Sequence, residues 1–128
     1  IPWSSEGLHR LEQVRYSFED LKNDTGVEVE DINKRIIDYG FNKFFTSHHP
    51  MIVPEPYTPE PTESYSKDDI DEYVEALKAI CEEAYVNPEM VKTAPHNASL
   101  SRIKNETIKD FSELAVTWRA YKRKIGIE

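Results

Sequence analysis

The chain has 128 residues, of which 38% are hydrophobic, 31% charged and 11% aromatic, and its formal net charge is −8. This length suits one domain with a single modest core, and the aromatic content is too high for a chain that is disordered throughout. The acidic balance argues against nucleic-acid binding, and no apolar run is long enough to span a membrane, so neither nucleic acid nor a membrane is an expected partner.

The amino-terminal residues lack the hydrophobic periodicity of the rest of the chain. Residues 1–12 mix Pro, Ser and Gly without hydrophobic periodicity, which indicates a linker or a cloning remnant. Residues 13–128 are expected to form a single domain. It would open with a short strand over the alternating β-formers Val14 to Phe18, followed by a turn at residues 23–26, Asn-Asp-Thr-Gly.

Helices are predicted wherever apolar residues recur at spacings of three and four. The first covers about residues 28–39, the second begins at a Ser cap and covers 66–84, and a short turn over 88–91 follows a first-turn proline. The last covers about 106–124 and ends in three basic residues. Its aromatic, basic face is suited to docking either on the domain's own acidic helix or on a partner subunit.

An acidic, proline-rich run separates the first two helices. Residues 41–56 predict one or two short strands, one of them around Met51 to Val53, because Pro50 and Pro54 interrupt any longer ladder. Pro59 stands just before the stretch EPTES (60–64), where members of the family that the chain resembles, named below, usually have an aliphatic residue, so we expect the second strand to be broken or displaced.

Reactive side chains are few. Cys81 is the only cysteine, which excludes an intrachain disulfide, favours a reducing, cytoplasmic setting and suits a small core residue. His48 and His49 are adjacent, and adjacent side chains of an extended segment point to opposite faces, so no metal site is predicted. The four glycines are isolated and form no phosphate-binding loop.

Four stretches carry a family resemblance through their order and spacing. They are DYGF (38–41), EPTES (60–64), the helix that follows, and NPEMVKTAPH (87–96). Together they resemble the C-terminal domain of glycine dehydrogenase (decarboxylating), the P-protein of the glycine cleavage system, and most closely the second subunit of its two-subunit form. The resemblance implies an α+β fold: the small C-terminal domain of a fold-type I pyridoxal-phosphate enzyme, with a short sheet and three or four helices.

The same resemblance implies a function for the whole enzyme. Family members decarboxylate glycine on pyridoxal phosphate and pass the aminomethyl group to the lipoyl arm of H-protein. The cofactor lysine belongs to a large upstream domain, so this chain is expected to bind no cofactor covalently and to be inactive alone. Its implied partners are that domain, the companion subunit and H-protein, with a homodimer of the fragment also expected from surface left uncovered.

Each candidate site residue has a structural and a functional interpretation. Glu60, Thr62 and Glu63 either solvate a proline-rich loop and start the next helix, or line the active-site cleft as the resemblance implies. His96 is either a structural surface residue or a residue near that cleft, with Arg102 as an anion contact. The rival function is a non-catalytic interaction domain that uses the Pro-rich segment and the basic C-terminal helix.

Overall fold

The computed structural model describes residues 15–42, 47, 53–102 and 117–127. Within these ranges the chain forms two short strands and five helices. In chain order they are β1 (Tyr16–Ser17), α1 (Glu19–Thr25), α2 (Val29–Asp38), β2 (Pro56–Tyr57), α3 (Lys67–Val86), α4 (Pro88–Lys92) and α5 (Trp118–Lys124). The small sheet with its helices confirms the predicted α+β class.

The sheet is a minimal antiparallel pair. Tyr16 of β1 lies opposite Tyr57 of β2, and the ladder is extended by a bond from the Phe18 N–H to the Glu55 carbonyl at 3.0 Å. Pro56 has no N–H to donate, which limits the pairing. Glu55 itself has a φ of 45°, an unusual value for a residue that is not glycine, so the chain turns sharply as it enters β2.

Of the strand predicted around Met51 to Val53, the structure describes only Val53. Val53 lies in a bend and not in a strand, whereas Met51 and Ile52 lie outside the described residues. The second strand instead lies at residues 56–57, displaced along the chain as the prolines led us to expect. His48, His49 and the predicted helical residues 106–116 also fall outside the described ranges.

Helix α1 was not predicted and is a correction to the reading of residues 23–26 as a simple turn. The seven residues of α1 bury only Leu21, so no apolar stripe marks them in the sequence. The turn residues form the end of this helix: Gly26 is left-handed with a φ of 71°, and its N–H donates to the Lys22 carbonyl at 2.7 Å. This is the conformation that glycine adopts most readily after a helix.

The helix predicted over about residues 106–124 is too long at the end that the structure describes. Thr117 is extended, with φ −133° and ψ 155°, and its hydroxyl accepts the Ala120 N–H at 3.1 Å, so α5 begins only at Trp118.

Helices α2, α3 and α4 agree with their predicted signals. Helix α2 ends at Asp38, and α3 begins after Ser66, whose hydroxyl accepts the Asp69 N–H at 3.1 Å while the Asp69 carboxylate accepts the Ser66 N–H at 2.8 Å. Pro88 occupies the first turn of α4. These caps satisfy backbone groups that a helix end leaves unpaired.

The core lies where α2, α3 and α4 meet. Ile32 and Ile36 come from α2, Ile80 and Ala84 from α3, and Val91 from α4; each is at most 1% exposed. Burial of an aliphatic side chain of this size contributes about 1.5–3 kcal/mol. The small residue Ala84 lets the helices approach closely, so α3 is fixed along its carboxyl half.

Candidate functional site

An apolar groove opens along α3 beside this core, and Leu21 belongs to both. It has a volume of about 1100 Å³ and is bounded by β1, α1, β2, residues 59–65 and α3. Two edge-to-face aromatic pairs build its walls: Phe18 with Tyr57, centroids 5.5 Å apart, and Phe41 with Tyr73, centroids 5.3 Å apart. The groove is therefore a shaped aromatic surface and not a loose gap.

The groove exists because α3 is apolar over more of its circumference than the core covers. Ala76, Ile80 and Ala84 are buried, whereas Ile70 and Val74, one turn apart, stay 38% and 40% exposed and line the groove. A helix in a free-standing domain usually places polar residues on its outer face. This second apolar face is typical of a surface that other protein covers.

The predicted residues Glu60, Thr62 and Glu63 lie at the amino end of this groove. All three are exposed, and Glu60 lies on the groove lining. Thr62 shapes the turn before α3, since its carbonyl accepts the Tyr65 N–H at 3.1 Å. The segment thus both precedes the helix and borders the groove, and its role in lining an active-site cleft stays a prediction.

His96 lies elsewhere, where the chain leaves α4. The backbone N–H groups of His96 and Asn97 both donate to Oδ1 of Asp38, each at 2.7 Å. The imidazole Nε2 lies 2.9 Å from the Met90 carbonyl and 3.4 Å from Oγ1 of Thr93. Backbone and ring are therefore both anchored, although the residue is exposed.

Arg102 forms hydrogen bonds that link the same turn to helix α2. Its Nη1 donates to Oδ1 of Asp31 at 2.6 Å, its Nε to the Ala94 carbonyl at 2.6 Å and its Nη2 to the Val91 carbonyl at 3.2 Å. An anion would have to compete with a carboxylate already in place. The structure thus gives Arg102 a fold-stabilising set of contacts, and its predicted role as an anion contact stays a prediction.

A buried ion network supports the His96 turn from below. Arg35 donates from Nε and Nη2 to the two oxygens of Glu83, at 2.8 and 2.9 Å, and from Nη1 to Oδ2 of Asp38 at 2.9 Å. The hydroxyl of Tyr39 also donates to Glu83, at 2.8 Å. Both carboxylates are therefore held by a rigid, forked cation.

The network shifts the pKa values of both carboxyls. Burial alone would raise the pKa of Asp38, but the N–H groups of Asn97 and His96 together with Arg35 outweigh it and lower that pKa. Hydrogen bonds from Arg35 lower the pKa of Glu83 against the opposing effect of burial. Both groups are therefore carboxylates at neutral pH.

The predicted site residues fall into two separate groups. Glu60, Thr62 and Glu63 precede Ser66 at the amino end of α3, whereas the His96 turn is linked through Asp38 and Arg35 to Glu83 near its carboxyl end. At about 1.5 Å per residue, Ser66 and Glu83 are about 25 Å apart along the helix axis. No small molecule could touch both groups at once.

Sequence reasoning missed Asp38, Arg35 and Glu83 as supports of the His96 turn. Asp38 belongs to the DYGF stretch and was used only as a marker of resemblance, while Glu83 is 48 residues from Arg35. The only sequence signal is that Asp38 and His96 both belong to stretches that carry the family resemblance, DYGF and Ala-Pro-His.

The described residues do not support a metal site, a nucleophilic cysteine or a membrane-spanning helix. They contain no group of three or more His, Cys, Asp or Glu side chains that could hold a metal ion. Burial raises the pKa of the Cys81 thiol, which disfavours a nucleophilic thiolate. No helix in these ranges is long and apolar enough to cross a bilayer.

Comparison with known proteins gives a consistent answer. The family model "Glycine dehydrogenase, C-terminal domain" matches residues 9–107. A relative named probable glycine dehydrogenase (decarboxylating) subunit 2 from Pyrococcus furiosus is 46% identical over 113 residues, which are 88% of this chain and 22% of the relative.

Bacterial relatives with the same printed name agree. The protein from Thermotoga maritima is 40% identical over 84% of this chain, and that from Nitrosospira multiformis is 38% identical over 85%. The matches cover 22% and 21% of those proteins, so the chain spans about a fifth of the length of the curated relatives it matches.

Proposed function

Because this chain belongs to the glycine dehydrogenase C-terminal domain family, we propose that it is the C-terminal part of the second subunit of a two-subunit glycine dehydrogenase (decarboxylating). The whole enzyme would decarboxylate glycine with pyridoxal phosphate and pass the aminomethyl group to the lipoyl arm of H-protein. This chain would supply one domain to that enzyme and would act only as part of it.

The observation that carries this proposal is the apolar groove beside α3. Its exposed Ile70 and Val74 would lie against the larger part of the polypeptide, which precedes this domain in the relatives. The groove lining includes Tyr16 and Ser17 of β1, the first described element. The α3 residues on the groove lining run from Asp69 to Glu82, which is about 20 Å of helix at about 1.5 Å per residue. Covering the apolar side chains among them would be favourable, since burial contributes about 25 cal/mol per Å² of apolar area.

Glu60, Thr62 and Glu63 would then lie at the junction between the two domains. Junctions of this kind are common places for active sites. The described residues on the rim of the groove are mainly acidic: Asp20, Glu60, Asp69 and Glu82, with Lys78 as the one basic residue among them. We expect the covering surface to be apolar at its centre and basic at its edge.

The groove does not itself fit pyridoxal phosphate. Among the described residues no glycine lines it, so they form no close backbone cradle for a phosphate. Lys78 is the one lysine that the described part of the lining contains. It donates to Glu75 at 2.6 Å, and this hydrogen bond raises the pKa of Lys78. A Schiff base requires a neutral amine, so we propose that the cofactor is held by the larger part of the enzyme.

The test uses the full-length second subunit with its companion subunit and H-protein. Val74→Glu would place a carboxylate in the covered groove and should reduce glycine-dependent exchange of labelled CO2 at least roughly tenfold, since a buried unpaired charge costs several kcal/mol. Val86→Glu is the matched control: it is the same substitution in the same helix, at a residue that is 86% exposed. Equal exchange rates for the two variants would refute the covered groove, and unchanged exchange after deletion of this domain would refute the enzyme function.

A second candidate function rests on α5. Trp118 is 69% exposed and stacks on Tyr121 with centroids 5.4 Å apart, and the last turn carries Lys122, Arg123 and Lys124. In this reading the domain binds protein through α5 and the Pro-rich segment without any part in catalysis. Retained exchange after domain deletion would favour this function, and sedimentation of the chain alone would test the expected homodimer.

A further inference from the structure

Two of the stretches that carry the family resemblance contact each other directly. Asp38 is the first residue of DYGF, and His96 is the last residue of Ala-Pro-His. They are 58 residues apart, yet one carboxylate oxygen of Asp38 accepts the N–H groups of both His96 and Asn97 at 2.7 Å. The Asn97 side chain adds a weaker bond to the Asp38 carbonyl at 3.4 Å.

Asp38 is well suited to fix a backbone. Its side chain is only 2% exposed, so water does not compete for its oxygens. One oxygen takes the two N–H groups, and the other takes Arg35 at 2.9 Å, which prevents rotation of the carboxylate. Charge-assisted bonds of this kind are about twice as strong as neutral ones. The position of the His96 backbone is therefore determined by Asp38.

The imidazole is oriented as well. A carbonyl oxygen can only accept, so the 2.9 Å contact between Nε2 and the Met90 carbonyl requires a proton on Nε2. In the neutral ring Nδ1 is then the acceptor. No hydrogen bond to Nδ1 is formed by the part of the chain that the structure describes, and residues 96–101 are all exposed. An anchored ring thus presents one acceptor atom outward.

We propose that His96 Nδ1 accepts a hydrogen bond from an N–H or O–H group of the larger part of the enzyme, and that Asp38 is the positioning residue for it. The partner is protein because two apolar residues near His96 in the chain are exposed, as at a protein contact: Met90, whose carbonyl binds the ring, is 40% exposed, and Leu100, four residues after His96, is 78% exposed. This contact lies at the far end of α3 from Glu60. The proposal rests on the proposed function, since it needs the rest of the enzyme to supply the donor.

Two isosteres of histidine test the role of the ring in the full-length two-subunit enzyme. In His96→Asn the amide oxygen can occupy the place of Nδ1, whereas in His96→Gln the amide can replace Nε2 and bind Met90 but leaves no acceptor at Nδ1. We expect kcat/KM for glycine within about threefold of the parent for His96→Asn and roughly tenfold lower for His96→Gln, as for loss of one hydrogen bond. The reverse order, or equal values, would overturn the proposal.

A second pair of variants tests Asp38 by a readout other than activity. In Asp38→Asn the amide can satisfy Arg35 or the two N–H groups, but not both, so hydrogen exchange of the peptide covering residues 94–101 should become at least roughly tenfold faster. Glu83→Gln is the matched control because Glu83 binds the same Arg35 without touching this peptide. Equally fast hydrogen exchange in both variants would mean that Asp38 affects this peptide only by holding Arg35, which would refute its role as the positioning residue for His96.

A double-mutant cycle separates positioning from general stability. If Asp38 acts through His96, the variant carrying both Asp38→Asn and His96→Gln should lose no more kcat/KM than the worse single variant, whereas independent effects would multiply. Deletion of the domain distinguishes a failure of the His96 hydrogen bond from a failure of the proposed function. If deletion abolishes CO2 exchange but His96→Gln matches the parent, only this inference fails; if deletion changes nothing, the proposed function fails first.

Discussion

Replacing Arg35 with methionine should be strongly destabilising. Arg35 is 9% exposed and makes three hydrogen bonds to two carboxylates, Glu83 and Asp38. Methionine retains much of the aliphatic stem but leaves the nearly buried Asp38 without its cation. Removing one partner of a buried pair typically costs about 3–5 kcal/mol, and Glu83, 27% exposed, can turn partly to water. We expect a loss of about 3 kcal/mol in the free energy of unfolding.

Urea unfolding followed by far-ultraviolet circular dichroism measures this loss in the 128-residue chain. Lys78→Met is the matched control because Lys78 also pairs with a carboxylate, Glu75, but both side chains are more than 60% exposed. Exposed pairs contribute little to stability, so the control midpoint should stay close to the parent. Similar midpoints for the two variants would refute a stabilising role for the buried network.

The pH dependence of the Arg35 variant has a definite sign. The pKa values of Asp38 and Glu83 are lowered in the folded chain, so these groups stabilise the fold above their ordinary range and lose that contribution as the pH falls through their folded pKa values. Without Arg35 both pKa values rise and protonation occurs at higher pH. The stability difference between parent and variant should be largest at pH 7 and shrink in acid. A difference independent of pH would contradict the assignment.

Three further predictions concern single contacts. Glu55→Ala removes the acceptor of the Val29 N–H at 2.8 Å and should lower stability by about 2 kcal/mol, with a smaller loss for Glu55→Gln, as measured by urea midpoints. Gly26→Ala should cost about 1–2 kcal/mol because φ is 71° and the new Cβ would lie 3.1 Å from Lys92 Nζ; Gly26→Asn should cost less in thermal unfolding. Alkylation of Cys81 by iodoacetamide at pH 8 should be slower in the folded chain than in urea, because burial raises its pKa; equal rates would contradict that shift.

The sequence predicted those elements whose signals are local. Helices α2, α3 and α4 were found because apolar spacing and caps lie within one segment, whereas α1 was missed because only Leu21 is buried. The placement of β2 depends on the left-handed backbone at Glu55, which no propensity predicts at a glutamate. Contacts between distant residues, such as Arg35 with Glu83, leave no periodic trace. The motifs therefore identified the family and named His96, but not the carboxylate that holds it.

The two apolar faces of α3 have different roles: one stabilises the fold of this domain, and the other is proposed to contact the rest of the enzyme. The core needs the face with Ile80 and Ala84, but folding of this domain does not need Val74, which is 40% exposed, to be apolar. Glutamate also has the higher helix propensity, so Val74→Glu in the chain alone should change the free energy of unfolding by less than about 0.5 kcal/mol. The same substitution in the full-length enzyme should sharply reduce CO2 exchange. A large loss of stability in the isolated chain would instead assign Val74 to the core of this domain and remove the main support for a covered groove.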